Sequence, residues 1–479
     1  MDKNEIFNNV DNFSAEQLSD FIDKGIITLD ELRDTGELEA SKRRAILSLQ
    51  KNREQEEDNA WRDALTNNTI LIFFEYIDKY PNGKYVLDAK NNIYLIEDEN
   101  AWNIAVNIND ILSYSEYLDR YPNGKYTLEA KRRIADLNKY KEELEELLEN
   151  PSIFPADTIR QYLLDGTITR SQLINKGISE NIIDKLTKNE SAPDFELGET
   201  PNSIPDGFTE VYFWGISGSG KTTALSAVLS TADKNGLLEI TDGPGYNYML
   251  QLQNLFSDDI SILPTGTPIK TQYLPFTLKG DNEKNSRSVS LIELSGEIFQ
   301  CFLLKNARQK LTTQKEETFN TLINYLNGNN RKLHFFFVDY NKGNYKDQDG
   351  YTQSQYLNGA ATFFNNPDYN IFGKTTDAIY VVLTKSDLMP DENKSKKEQV
   401  KDYLNDKNNK YVSFIKSLRN KCVQHSINGE RIIGIPFSLG SVYFEQICEF
   451  NPETAENIID VLMRRIKPSE KSILDVFNK

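Results

Sequence analysis

The chain has 479 residues, enough for two or three domains with separate cores, and 72 acidic residues against 55 basic ones give it a net charge of -17. That balance argues against a surface built to neutralise nucleic-acid phosphates or anionic lipid, so neither is expected as a partner. Cys301, Cys422 and Cys448 lack CxxC spacing, no run approaches the roughly 18 apolar residues of a membrane span, and the N-terminal MDKNEIFNNVDNF lacks an apolar stretch. The expected setting is a reducing cytoplasm, without a disulfide framework, zinc site or membrane span.

Residues 1–190 repeat themselves. AWRDALTNNTILIFFEYIDKYPNGKYVLDAKNNI (Ala60 to Ile93) recurs as AWNIAVNINDILSYSEYLDRYPNGKYTLEAKRRI (Ala101 to Ile134), a period of about 41 residues, in the range of helical-hairpin repeats. Each copy reads as two helices around the turn YPNGK, where Pro and Asn-Gly interrupt the helix. Trp61 and Trp102, with Tyr76, Tyr80, Tyr117 and Tyr121, are expected as repeat core where the hairpins pack on each other. A second duplication brackets the first: FSAEQLSDFIDKGIITLDEL (Phe13 to Leu32) matches FPADTIRQYLLDGTITRSQL (Phe154 to Leu173), each with a Gly stop and a capping Thr28 or Thr169. The pattern is A-B-B-A over 11–50, 60–95, 101–136 and 152–187, an all-α module suited to binding a protein partner. KYKEELEELLEN reads as a solvated helix ending before Pro151.

Residues 191–207, rich in Pro, Gly and acidic side chains, read as a linker. Beyond them EVYFWG, SVSLIEL, KLHFFFVDY, AIYVVLT and RIIGIPFS alternate with helical stretches, the texture of an α/β domain with a doubly wound, mainly parallel sheet over 208–479. An insertion around 298–375 is expected, with a helix near SQYLNGAATFF that shapes a partner surface or a variable loop. A C-terminal helix follows Asn451. His334 and His425 have no ligand-spaced partner and are assigned to packing.

Gly215-Ile-Ser-Gly-Ser-Gly-Lys-Thr222 fits GxxxxGK[ST] between a strand and a helix. Glycines 215, 218 and 220 let the backbone N–H groups of Ser217, Ser219, Lys221, Thr222 and Thr223 turn around phosphate oxygens, assisted by the helix dipole. Lys221 supplies a cation to the β and γ phosphates, and Thr222 a hydroxyl to Mg²⁺. Further on, AIYVVLTKSDL delivers Thr384, Lys385 and Asp387. A carboxylate at Asp387 pairs with guanine's N1–H and 2-amino group, which adenine lacks, and the stem of Lys385 can lie along the base.

These residues resemble the [NT]KxD motif of P-loop GTPases of the translation-factor-related, Ras-like and dynamin-like class, over roughly residues 208 to 445. The resemblance implies a GTPase domain with Mg²⁺ and GTP or GDP as ligands. It makes Thr267, or less favourably Thr265, in LPTGTPIK the switch threonine that meets Mg²⁺ and the γ-phosphate. Glu293-Leu-Ser-Gly296 stands where the class has DxxG, with Glu293 in place of Asp as the metal-side acid, and Ser438-Leu439-Gly440 is similar to its SAK-type loop, whose N–H meets the guanine carbonyl. Lys221, Thr267, Gly296 and Glu297 are then the catalytic set. Glu297 replaces the usual water-positioning Gln, which implies slow intrinsic turnover. Arg287 and Arg308 are candidates for an arginine finger in cis, against the plainer reading as surface arginines. Asp339, ending LHFFFVDY, is the rival acid if the chain is an ATPase instead. The expected function is a GTP-hydrolysing regulatory switch with a repeat module that binds protein. The alternatives are a low-turnover GTP-sensing scaffold in a bacterial defence or signalling complex, as the Asn-, Lys- and Ile-rich composition suggests, or an assembling dynamin-like GTPase that forms nucleotide-dependent oligomers.

Overall fold

A computed structural model describes residues 2–34, 38–188, 195–198, 200–240, 242–264, 270–280, 285–342, 346–347, 350–369, 371–390 and 393–468. The chain divides into two compact units, Met1–Glu145 and Glu146–Lys479.

In the first unit Ser14 opens the helix Ala15–Asp23 with a capping box to Gln17, and Thr28 accepts from the Glu31 amide at 3.2 Å to start Leu29–Asp34. The copied stretches then differ from two helices around a turn. Each has three helical parts, because the chain breaks at Asn68 (φ +45°) and Asn109 (φ +55°) as well as at YPNGK. Thr69 and Asp110 cap the helices Ile70–Lys79 and Ile111–Arg120 that follow, and the helix after the first YPNGK, Val86–Ile108, runs on into the second copy. Asn tolerates the left-handed conformation and Thr or Asp then accepts amides two or three residues on, so NNT and NIND carried this break locally.

The aromatics also pack mainly within each copy. Trp61 stacks on Tyr85 at 5.0 Å and Trp102 on Tyr126 at 4.9 Å. A carboxylate locks each turn: Glu57 accepts from Tyr76 Oη at 2.7 Å and Lys84 N at 2.8 Å, and Asp98 accepts from Tyr117 Oη at 2.5 Å and Lys125 N at 2.7 Å.

Among the described residues the second unit has ten strands: β1 Thr209–Trp214, β2 Leu238–Ile240, β3 Ile260–Ile262, β4 Gln272–Leu278, β5 Arg287–Glu293, β6 Arg331–Asp339, β7 Thr376–Thr384, β8 Ile433–Phe437, β9 Gly440–Tyr443 and β10 Ile447–Phe450. Seven form one sheet in the order β2-β4-β5-β1-β6-β7-β8. β5, β1, β6, β7 and β8 run parallel, and β4 is antiparallel to both β5 and β2. Alternate side chains of β1 serve opposite faces, as a pleated strand requires. Tyr212 and Trp214 join a core closed by the helices Glu297–Asn306, Thr313–Leu326, Gln353–Phe364 and Val412–Gln424. Val211 and Phe213 join another closed by Lys221–Lys234, Tyr246–Asn254 and Glu453–Arg465. The doubly wound, mainly parallel architecture is therefore present.

Two boundaries differ from expectation. Residues 298–375 are not an insertion: they supply β6, which lies between β1 and β7, and the helix Gln353–Phe364, whose Tyr356, Leu357, Phe363 and Phe364 are buried in the core. The division between units falls at 145/146 rather than at 191–207. The second bracketing copy belongs with the sheet because the antiparallel trio β3-β10-β9 gives it a dock. There Phe444 N donates to Ser152 O at 2.6 Å, Ala156 N donates to Phe444 O at 3.0 Å, and the helix Glu180–Thr187 packs on β3 and β10.

The three cysteines are buried and unpaired. Among the described residues no helix is long and apolar enough to cross a membrane, and no group of His, Cys, Asp and Glu is placed to hold a metal ion.

Candidate functional site

β1 delivers the chain into the turn 215–220, and the helix Lys221–Lys234 starts at Gly220. The turn needs glycine at two points, since Gly218 and Gly220 hold φ of +68° and +88°. Lys221 is buried, and its Nζ donates to the carbonyls of Gly215 at 2.6 Å and Ile216 at 2.9 Å. Burial brings its pKa down to about 8; Glu293 opposes this and Lys342 adds to it.

Thr222 Oγ1 donates to one carboxylate oxygen of Glu293, at the end of β5, and Tyr248 Oη donates to the other at 2.8 Å. Burial raises the Glu293 carboxyl pKa, while Thr222, Lys221 and Tyr248 pull it down. Glu293 thus stands beside the turn 215–220 despite its longer arm. Tyr248 was missed in the sequence, where nothing in its spacing marks it.

At the end of β7, Thr384 Oγ1 donates to Ser219 O at 3.0 Å, tying this strand to the turn 215–220. Lys385 adopts φ +57° and pairs with Asp339 at 3.2 Å. Asp339 also accepts from the Asn341 amide at 2.8 Å and the Lys342 amide at 3.2 Å. The rival acid is thereby occupied in holding loops, and it is Glu293 that contacts the Thr222 hydroxyl.

One cleft of about 560 Å³ gathers Gly218, Gly220, Lys221, Thr222 and Thr223 with Thr384, Lys385, Asp387, Ser438 and Leu439. Leu263 and Pro264 line its rim; Thr265 and Thr267 lie outside the described residues. Of the SLG loop, the Ser438 amide already donates to Thr454 Oγ1 at 3.2 Å, so this N–H is engaged within the fold. Gly215 and Ser219 sit behind the cleft: a Cβ on Gly215 would come within 3.0 Å of Phe337 O, and Ser219 is fully buried. Ser217 faces a separate cavity of about 100 Å³ with Gly296, Glu297 and Lys342. Gly296 approaches the turn 215–220 so closely that an added Cβ would meet the backbone of Ile216 and Ser217.

Neither arginine reaches this site. Arg287 begins β5 while Glu293 ends it, so about 20 Å of strand separates it from Glu293 and the turn 215–220. Arg308 lies beyond the helix Glu297–Asn306, about 15 Å along its axis from Gly296. His334 is a core residue: its Nδ1 accepts from Trp214 Nε1 at 3.0 Å, and it stacks on Tyr212.

No family model matches the chain, and no curated protein does. Among solved structures it is similar to a nucleolar GTP-binding protein 1 from Plasmodium falciparum (13% identity, 55% of this chain and 89% of that one, TM-score 0.24). It is also similar to a GDP-bound Roco protein from Methanosarcina barkeri (12% identity, 59% and 55%, TM-score 0.23) and to the GTP-bound Ski7 GTPase-like domain of S. cerevisiae (15% identity, 56% and 52%, TM-score 0.26). The chain spans about half the length of the latter two, and at these scores the likeness assigns no function to it.

Proposed function

We propose that the chain binds a guanine nucleotide with Mg²⁺ in the 560 Å³ cleft and hydrolyses GTP slowly as a regulatory switch, while the helical repeats bind a protein partner. The observation that carries the reading is the convergence on this cleft of the phosphate turn, TKSD and SLG, three stretches far apart in the chain. Phosphates seated on the turn would draw Lys221 away from the carbonyls it now caps. Asp387, exposed on the cleft wall, would accept from guanine's N1–H and 2-amino group, and Lys385 would cover the base.

The residues present fit Mg²⁺: the Thr222 hydroxyl and the Glu293 carboxylate are hard oxygen donors in mutual contact at the helix N-terminus, with Thr267 proposed to complete them. Bound there, Mg²⁺ would neutralise charge on the β and γ phosphates. Tyr248 holds the Glu293 side chain in place. The engagement of Asp339 with Lys385 favours this assignment over an ATPase built on Asp339.

A second reading, a low-turnover GTP sensor, is favoured by Glu297. Glu297 lines the cavity beside Ser217, where a negative charge would oppose a γ-phosphate and an attacking water alike. The test is binding of GTP, GDP and ATP with Mg²⁺, together with phosphate release and nucleotide-dependent sizing, for the wild type, Lys221→Ala and Asp387→Ala. Guanine-selective binding that Asp387→Ala abolishes is the expected result, and the release rate separates switch from sensor. Equal ATP and GTP binding that Asp387→Ala leaves unchanged would sink the assignment, while growth in size with GTP would point to an assembling GTPase.

A further inference from the structure

Both arginines considered as fingers lie far from the phosphate turn, yet a second lysine reaches it. β6 ends at Asp339, whose Oδ1 gathers the amides of Asn341 and Lys342 and so turns the chain back toward residues 215–220. The Lys342 ammonium comes to rest against Gly218, in the space a Cβ at that position would occupy. Gly218, at φ +68°, is therefore bare on the side from which the cation approaches. The same side chain lines the 100 Å³ cavity with Ser217, Gly296 and Glu297, next to where a terminal phosphate would sit on the turn. At the roughly 30 Å³ a water occupies in the liquid, that cavity has room for a few waters.

We propose that Lys342 is an intramolecular cation for the terminal phosphates, doing from within the chain what an arginine finger does. The inference rests on the nucleotide reading above. In hydrolysis the oxygen of a water bonds to the γ-phosphorus and the bond from that phosphorus to the β–γ bridging oxygen breaks. The electron pair of the broken bond stays on GDP, and a proton of the water passes to a phosphate oxygen or to solvent. Lys342 stays protonated throughout and stabilises the charge that collects on the bridging and terminal oxygens. Burial lowers its pKa, with Asp339 opposing and Lys385 adding. Lys342 disfavours the charge on Lys221 at the bare turn, and a polyphosphate bound beside both would offset that penalty.

The experiment compares the wild type, Lys342→Ala, Lys342→Gln and Lys342→Arg in single-turnover phosphate release, and in affinity for GDP and for a non-hydrolysable GTP analogue. Removing the cation should slow release by about 100-fold, the scale of losing one oriented charge-stabilising donor. It should weaken the analogue about tenfold while GDP binding changes less than about threefold, and Lys342→Arg should recover most of both losses. Wild-type release rates in Lys342→Ala and Lys342→Gln, or equal weakening of GDP and the analogue, overturns the role. A wild type that binds no guanine nucleotide defeats the parent reading as well, and that outcome is visible before any variant is made.

Discussion

Asp98→Ala and Glu57→Ala remove the same pair of hydrogen bonds from two copies of one design and should cost very different amounts. Asp98 is 1% exposed, and alanine there orphans the Tyr117 hydroxyl and the Lys125 amide. The stranded Tyr117 hydroxyl is buried and the Lys125 amide part-buried; at roughly 1–3 kcal/mol per stranded donor, with relief from burying a carboxylate offsetting part of the sum, about 3 kcal/mol is lost. Glu57 is half-buried, so water can take over from it, and its loss should cost about 1 kcal/mol. Amide exchange at Lys125 and Lys84 in the full-length chain reads the two losses separately, since each 1.4 kcal/mol of local opening is about tenfold in rate. The expected accelerations are about 100-fold at Lys125 and about fivefold at Lys84. Equal accelerations in the two copies would refute the argument that burial of the orphaned donors sets the cost.

Two more predictions follow from groups whose expected roles changed or narrowed. Burial, with Lys332 adding, lowers the His334 pKa from 6.5 to about 3, so between those values the unfolded chain binds more protons than the folded one. Stability should then fall as the pH drops from 6.5 toward 3, by at most about 1.4 kcal/mol per unit, and urea midpoints of His334→Phe should show a shallower slope; an unchanged slope rejects the assignment. Arg287→Ala and Arg308→Ala should leave phosphate release within about twofold of wild type, as surface substitutions distant from a site do. A tenfold loss in either would mean that a motion brings it across the distance described.

What the sequence disclosed about the site was whatever depends on backbone conformation or on one side chain of fixed chemistry. Gly218 and Gly220 advertise the turn because the turn demands positive φ, and Thr384, Lys385 and Asp387 come at and just past the end of a strand that hydropathy alone reveals. Tyr248 and Lys342 were silent because their importance comes from tertiary placement, Tyr248 across 45 residues to Glu293 and Lys342 against Gly218. The same holds for β6: its apolar run is evident in the sequence, but its place between β1 and β7 depends on the tertiary fold, so the segment around it reads as an insertion. In the repeats, the breaks at Asn68 and Asn109 rest on local Asn and Thr or Asp chemistry, a weaker signal than the Pro and Asn-Gly of YPNGK.

The turn locks of the first unit join residues 19 and 27 apart in both copies, whereas the bonds around the cleft join Thr222 to Glu293 across 71 residues and Thr384 to Ser219 across 165. Short-range contacts form early and long-range ones late. During synthesis the phosphate turn leaves the ribosome roughly two hundred residues ahead of Leu439, so the repeats can assemble while the cleft still has only one wall. A nucleotide that spans the cleft would then act as a clasp on the slowest contacts of the chain, and its presence during refolding would raise the yield of the second unit without altering that of the first.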